Sequence, residues 1–373
     1  MTSRYKSSPN IHMSLKLVHD NNIINIMKRF LAVLISGSIF YACEPEPNIQ
    51  PNIPPTTSIR GGLFILNEGN FQAGNATLDY YNFETQALSF NAFETVNKRK
   101  LGDVLQSMTH TGSFGYLIVN NSQKIEIINI NSLASVGSIT GFKSPRYMVI
   151  KDNIAYVSEY YDGGIKMVDL AKSQIIGTIP IKGNLDGLLL HQNKLYVTNA
   201  AGNYLYVINT FSNIVSDSIA VGYGSNSLQL DADNRLWVLS SGRKVGTVEE
   251  SGRLNAINTN TDSVSKFFLI TRESDHGPIK LRVDTEKKTL YWINKSIYKH
   301  DVASADLMKE PFVNAFKNNF WALSIDSLTR EIYVGDAIDF IQKSNINRYD
   351  RTGTIKGTFK AGIITGDFYF YYR

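Results

Sequence analysis

One short strand recurs seven times along this chain, at residues 63–66, 116–119, 155–158, 195–198, 236–239, 290–293 and 332–335. Each copy carries an aromatic anchor: Phe64, Tyr116, Tyr156, Tyr196, Trp237, Tyr291 and Tyr333, which lie 52, 40, 40, 41, 54 and 42 residues apart. A second marker keeps step with the first. An apolar strand ends in Asn or Asp before a turn, at Asn82, Asn129, Asp169, Asn209, Asn258, Asp301 and Asp350. Asx side chains bond the backbone just ahead of them and so set turns. Two markers in phase, at a period of 40–50 residues with room for four strands, are the signature of a propeller. The expected fold is all-β: a seven-bladed β-propeller of four-stranded antiparallel blades.

The clearest unit is 144–179, with an inner strand at 146–150, then strands at 154–158, 165–170 and 175–179. The first unit begins at its second strand and lacks an inner one. Just before the final Arg373 the chain reads Gly366-Asp367-Phe368-Tyr369-Phe370-Tyr371-Tyr372, a strand with no blade of its own. This C-terminal strand is expected to close blade one, which removes an exposed sheet edge.

Upstream of the repeat, Met27-Lys28-Arg29 is followed by a mostly apolar run from Phe30 to Ala42 and then by Cys43, the only cysteine of the chain. Two charges, a short apolar run and a small residue before the cut describe a signal peptide. The run is too short to span a bilayer as a helix, which takes about 20 residues. Residues 1–42 are therefore read as a leader, an upstream extension 1–26 plus a signal peptide 27–42 starting at Met27. Residues 40–43 resemble a lipobox with Phe40 in place of the usual Leu, which makes Cys43 the lipid anchor. Glu44 and Glu46 behind it resemble the surface-export signal of Bacteroidota lipoproteins. Pro45, Pro47, Pro51, Pro54 and Pro55 stiffen a tether over 43–58, and 59–373 form the propeller. The expected location is the outer membrane, lipid-anchored and facing the cell exterior.

The chain carries 38 Lys and Arg against 33 Asp and Glu. Five of those bases and one of those acids lie in residues 1–42, so the remainder is close to neutral. A near-neutral body offers no electrostatic footprint for nucleic acid.

Strand alternation places two sets of loops on one face, and the long ones belong there: 67–75, 93–103, 240–252, 270–277 and 335–344. Binding concentrates on such loops over a rigid scaffold. The first loop opens Leu66-Asn67-Glu68-Gly69-Asn70-Phe71. With the lipobox, the closing strand and the repeat, it resembles the YncE-like seven-bladed propeller surface lipoproteins of Bacteroidota, over most of residues 60–373. The resemblance implies a non-enzymatic binding lipoprotein. Some members of that group capture cobalamin at the cell surface and pass it to a TonB-dependent outer-membrane transporter. No cobalamin-contact residue matches individually.

The ligand-binding candidates are Asn67, Glu68, Asn70, Phe71, Tyr160, Tyr161, Arg243 and Asp336. Glu68 either contacts ligand or bonds nearby loop amides. Adjacent tyrosines offer flat contact area with hydroxyl handles; alternatively one of Tyr160 and Tyr161 packs and the other is solvated. Arg243 and Asp336 are chosen for their place in, or at the start of, inserted loops. Arg146 and Asp186 begin inner strands and are expected to face the channel and pair with each other or with other charges. Phe320-Trp321 is read as blade packing.

No catalytic residue, cofactor site or metal site is assigned. The Gly-x-Ser-x-Gly elbow, the phosphate-binding loop and the paired zinc motif are absent from the sequence. Asp231-Ala232-Asp233-Asn234 lacks the Gly and Glu of a calcium loop and reads as a turn. Two other functions stay open: a protein-interaction or adhesion propeller, and a lactonase-like metal-dependent hydrolase with Glu68, Asn226 and Asp367 as its metal set.

Overall fold

The computed structural model describes residues 61–372. The leader, Cys43 and the tether lie outside the described residues. The repeat folds into seven antiparallel blades. The unit singled out in the sequence forms strands Pro145–Lys151, Ile154–Glu159, Gly164–Asp169 and Gln174–Pro180, within a residue or two of expectation.

The alternation of each second strand explains its unbroken apolar run. In the blade-two strand Phe114–Val119, Leu117 and Val119 pack toward blade one while Tyr116 and Ile118 pack toward blade three. Every blade interface is filled in this way, so seven apolar clusters alternate with seven sheets. A strand buried on both faces has no solvent side on which polar residues could alternate. All seven aromatic anchors are buried. All seven Asx residues accept hydrogen bonds from backbone N–H groups just ahead of them.

Blade one closes as expected. The terminal strand Thr365–Tyr372 pairs with Gly61–Asn67, giving a sheet that holds both ends of the described chain. The buried carboxylate of Asp79 in blade one accepts the Gly362 N–H from the last strand of blade seven at 2.8 Å and the Asn67 side-chain amide at 2.9 Å.

Three local features depart from the plain repeat. In blade six the outermost position, beyond strand Ser296–Asp301, is held by a single bridge between Ile297 and Val313 rather than by a regular strand. The segment 93–103, expected as a loop, begins within a short helix, Ala92–Asn97, that buries Phe93 against blades one and two. The loop 240–252 folds into a hairpin of Arg243–Val245 with Val248–Glu250. No helix among the described residues is long and apolar enough to cross a membrane.

Candidate functional site at the mouth of the channel

Every inner strand slips register next to its first residue. The shifts fall between Leu105 and Ser107, Pro145 and Met148, Leu185 and Leu188, Ser225 and Ser227, Ile279 and Arg282, and Phe320 and Ala322. In blade one the shift leaves Gly366 between Thr365 and Asp367. A β-bulge puts an extra residue opposite one partner and re-aims its side chain. The seven bulges therefore set one residue per blade around the channel mouth: Gln106, Arg146, Asp186, Asn226, Lys280, Trp321 and Gly366. Six of them line a cavity of 730 Å³. At the seventh, Gly366 has no side chain, and a methyl group there would overlap the carboxylate of Glu68. Glu68, from the first long loop, thus occupies the place of the missing side chain and completes the ring.

The ring is knitted by polar contacts. Arg146 donates to Gln106, and its Nε lies 2.9 Å from Asp186. Trp321 Nε1 donates to Glu68 Oε1 at 3.0 Å. Deeper in the channel Arg282 pairs with Asp367 at 2.7 Å. Burial works against both arginine charges, but the paired carboxylates outweigh it and hold each guanidinium pKa above its ordinary value. The expected pairing of Arg146 with Asp186 is therefore present. Trp321 packs edge-on against Phe340, 5.3 Å between centroids, and against His276 at 4.9 Å, yet it also lines the cavity.

Glu68, Phe71, Tyr160 and Tyr161 all line this cavity. Tyr160 lies under the Arg146 guanidinium, 5.2 Å from ring centroid to Cζ, and meets Tyr161 edge-to-face at 4.9 Å. Tyr161 is 75% exposed and Phe71 68%, so both stand at the rim.

The profile of one protein family, described as a domain of unknown function (DUF5074), matches residues 61–372. The chain belongs to the DUF5074 family. No curated protein matches it in sequence. Among solved structures, the DUF5074 propeller is similar to a quinoprotein alcohol dehydrogenase-like protein from Bacteroides thetaiotaomicron, with TM-score 0.64 at 14% identity over 84% of this chain and 78% of that one. It is similar to the periplasmic gluconolactonase of Pseudomonas aeruginosa, with TM-score 0.64 at 10% identity over 83% and 98%. It is also similar to the hydrazine synthase of Kuenenia stuttgartiensis, with TM-score 0.56 at 12% identity over 70% and 87%. At these identities the likeness carries the fold alone, because one fold hosts unrelated chemistries.

The other candidates of the DUF5074 domain sit elsewhere. Asn67 and Asp336 each end a second strand, three residues after an aromatic anchor. At that position Asn67, Glu159, Asn199, Ser240, Asn294 and Asp336 are all buried. They pin the chain where it enters the inner strand. Asp336 accepts the Asn319 N–H at 2.8 Å, Glu159 the Ser144 N–H at 2.6 Å, Asn199 the Asn184 N–H at 3.0 Å, and Asn67 the Thr365 hydroxyl at 2.7 Å. These side chains are already engaged within the fold. Asn70 donates to the Phe340 carbonyl at 2.7 Å and ties the first loop to blade seven. Arg243 pairs with Glu250 at 2.7 Å across the hairpin and lies over Tyr223. It lines a neighbouring cavity of 660 Å³ that shares Tyr160, Asn226 and His276 with the first.

Glu68, Asn226 and Asp367 all line the main cavity, each with its own partner: Trp321, the Pro278 carbonyl at 3.0 Å, and Arg282. Among the described residues no group of three His, Cys, Asp or Glu is placed to hold a metal ion. Asp231 spends its carboxylate on the N–H groups of Asp233 and Arg235 and on the indole of Trp237, as a turn does.

The ring is not apparent from the sequence. Its members stand ten to twelve residues before each aromatic anchor in blades two to seven. That offset was available, but the residue types differ at every position, so no motif draws attention to it.

Proposed function

We propose that this domain is a non-enzymatic, cell-surface binding lipoprotein that captures a small nutrient ligand at the channel mouth and presents it to an outer-membrane transporter. The observation that carries this reading is the 730 Å³ cavity, ringed by the bulge residues of blades two to seven and by Glu68 of blade one, and rimmed by Phe71, Tyr160 and Tyr161. That volume falls in the range of small-molecule sites. Its ring residues in blades two to seven sit on strand ends within closed sheets, so binding orders little of that ring that is not already ordered. The membrane address rests on Cys43, the apolar run before it and the Pro-rich tether. Cobalamin is the first ligand to test, on the sequence resemblance.

The experiment is calorimetry of the soluble domain with cobalamin and related corrinoids, alongside mass spectrometry of whatever small molecule co-purifies from a native extract. Substituting Glu68→Gln, Tyr160→Ala and Tyr161→Ala together should abolish binding. Absence of heat removes the corrinoid assignment. Unaltered binding of the co-purifying molecule by the triple variant removes this cavity as the site. For the address, Cys43→Ser should release the protein from the membrane fraction, and protease treatment of intact cells should degrade the wild type; a protected wild type places it on the inner side.

A second reading is a protein-contact propeller. It draws on Val245 at 61% and Val248 at 66% exposure on the hairpin beside the cavity, together with the exposed Tyr161 and Phe71 on the rim of the main cavity. Loss of a protein partner rather than a small molecule in the triple variant would favour it.

A further inference from the structure

Resting on the capture reading above, we infer that the ligand bears a carboxylate or phosphate group and that Lys280 receives it. Six of the seven ring places have a hydrogen-bond partner within the fold. Gln106, Arg146 and Asp186 form a connected chain, and Trp321 bonds Glu68 over Gly366. The Asn226 amide donates to Ser241 at 2.8 Å and to Pro278 at 3.0 Å, and its oxygen accepts from Ser227 at 2.7 Å. Lys280 alone has no hydrogen bond and no ion pair among the described residues, although it lines the cavity.

The other cationic side chains at this cavity are spoken for. Lys143 pairs with Asp162 at 2.6 Å, Arg146 with Asp186 at 2.9 Å and Arg282 with Asp367 at 2.7 Å. Lys280 is thus the one ammonium left to meet an incoming charge, in a concave site whose low-dielectric walls strengthen its field. Its surroundings also set the shape of the ligand. In a closed ring of seven, blade six lies across the channel from blades two and three. There Tyr160 lies under Arg146, with Tyr147 also lining the wall. An anionic head at Lys280 therefore directs the rest of the ligand toward an aromatic wall, which suits a planar or apolar body.

The test uses four small probes that share a ring and differ in charge: phenyl phosphate, benzoate, benzyl alcohol and benzylamine, titrated into the domain by ligand-observed NMR. Lys280 has a left-handed backbone, φ 60°, which Asn tolerates well, so Lys280→Asn removes the charge with little strain. Thermal melting checks that the variant folds. The wild type should bind the two anions roughly five- to tenfold more tightly than the alcohol, as a charge-assisted contact does. Lys280→Asn should bring the anions down to the alcohol's affinity, and Lys280→Arg should keep the preference. An anion preference that survives Lys280→Asn overturns the assignment to Lys280. Equal binding of all four probes, lost in Tyr160→Ala, overturns the anionic class while leaving the cavity as the capture site. No binding by any probe overturns the inference, and the co-purification experiment then decides the capture reading separately.

Discussion

At the scale of single residues, Gly366 and Glu68 act as one unit. The ring position that lacks a side chain is filled by a carboxylate from another loop, and only a residue without Cβ leaves room for it. Gly366→Ala should displace Glu68, break its bond to Trp321 and lower stability by about 1 kcal/mol. In a Glu68→Ala background the same change should cost almost nothing, a coupling that urea unfolding of the four proteins of the cycle measures. His300 gives the fold a pH dependence. Its ring is fully buried, 4.8 Å from Phe268 and 5.6 Å from Trp237 between centroids, and neither nitrogen has a hydrogen-bond partner among the described residues. Burial, helped by the nearby Lys266 charge, pushes its pKa down to about 4. The unfolded chain takes up this proton near pH 6.5 and the folded one only near pH 4. Its contribution is therefore complete above pH 6.5 and is lost as the pH falls to about 4, a loss of roughly 3 kcal/mol. His300→Leu should flatten that part of the stability profile and leave stability at pH 7 unchanged or higher, because no hydrogen bond is sacrificed.

At the scale of elements, two devices recur at fixed offsets from the aromatic anchor. In every blade but the second, where Val119 stands, a polar residue three positions after the anchor pins the entry of the inner strand, and in blades two to seven a bulge ten to twelve positions before it presents a side chain to the channel. The pins separate fold from function. Asp336→Ala removes the acceptor for two backbone N–H groups, those of Asn319 and Ile338. It should cost roughly 2–3 kcal/mol in chemical denaturation, with Asp336→Asn recovering most of it. Neither variant should change ligand affinity by more than about twofold once folded. A large loss of affinity in Asp336→Asn would return this residue to the binding site. Asn67 belongs to the same class, which explains why proximity to Glu68 in sequence gave it no place in the cavity.

For the whole molecule, closure is the decisive contact, because the inner strand of blade one comes from the far end of the described chain. Removing residues 365–372 takes away the partner of Gly61–Asn67, the Asp367 partner of Arg282, and Phe368 and Tyr371 from two interface clusters. The truncated protein should lose cooperative unfolding rather than merely fray, and melting followed by circular dichroism reports this directly. Blade number, strand order, turn positions and the closing strand were all legible in the chain. Each depends on local periodicity and on residues whose preferences act within a few positions: aromatics that fill an interface, Asx residues that set a turn. The cavity was legible only in part. Glu68 and Phe71 were found because a long loop announces itself, and Tyr160 and Tyr161 because adjacent tyrosines do, whereas Lys280, Gln106 and the double role of Trp321 were not. Which residue a bulge aims inward, and which charge then finds a partner, depends on seven strands brought together around one axis from positions up to 260 residues apart. No local pattern records that juxtaposition, so tertiary structure alone decided the ring, the engagement of Asn67 and Asp336 within the fold, and which cavity lysine is left without a counter-charge among the described residues.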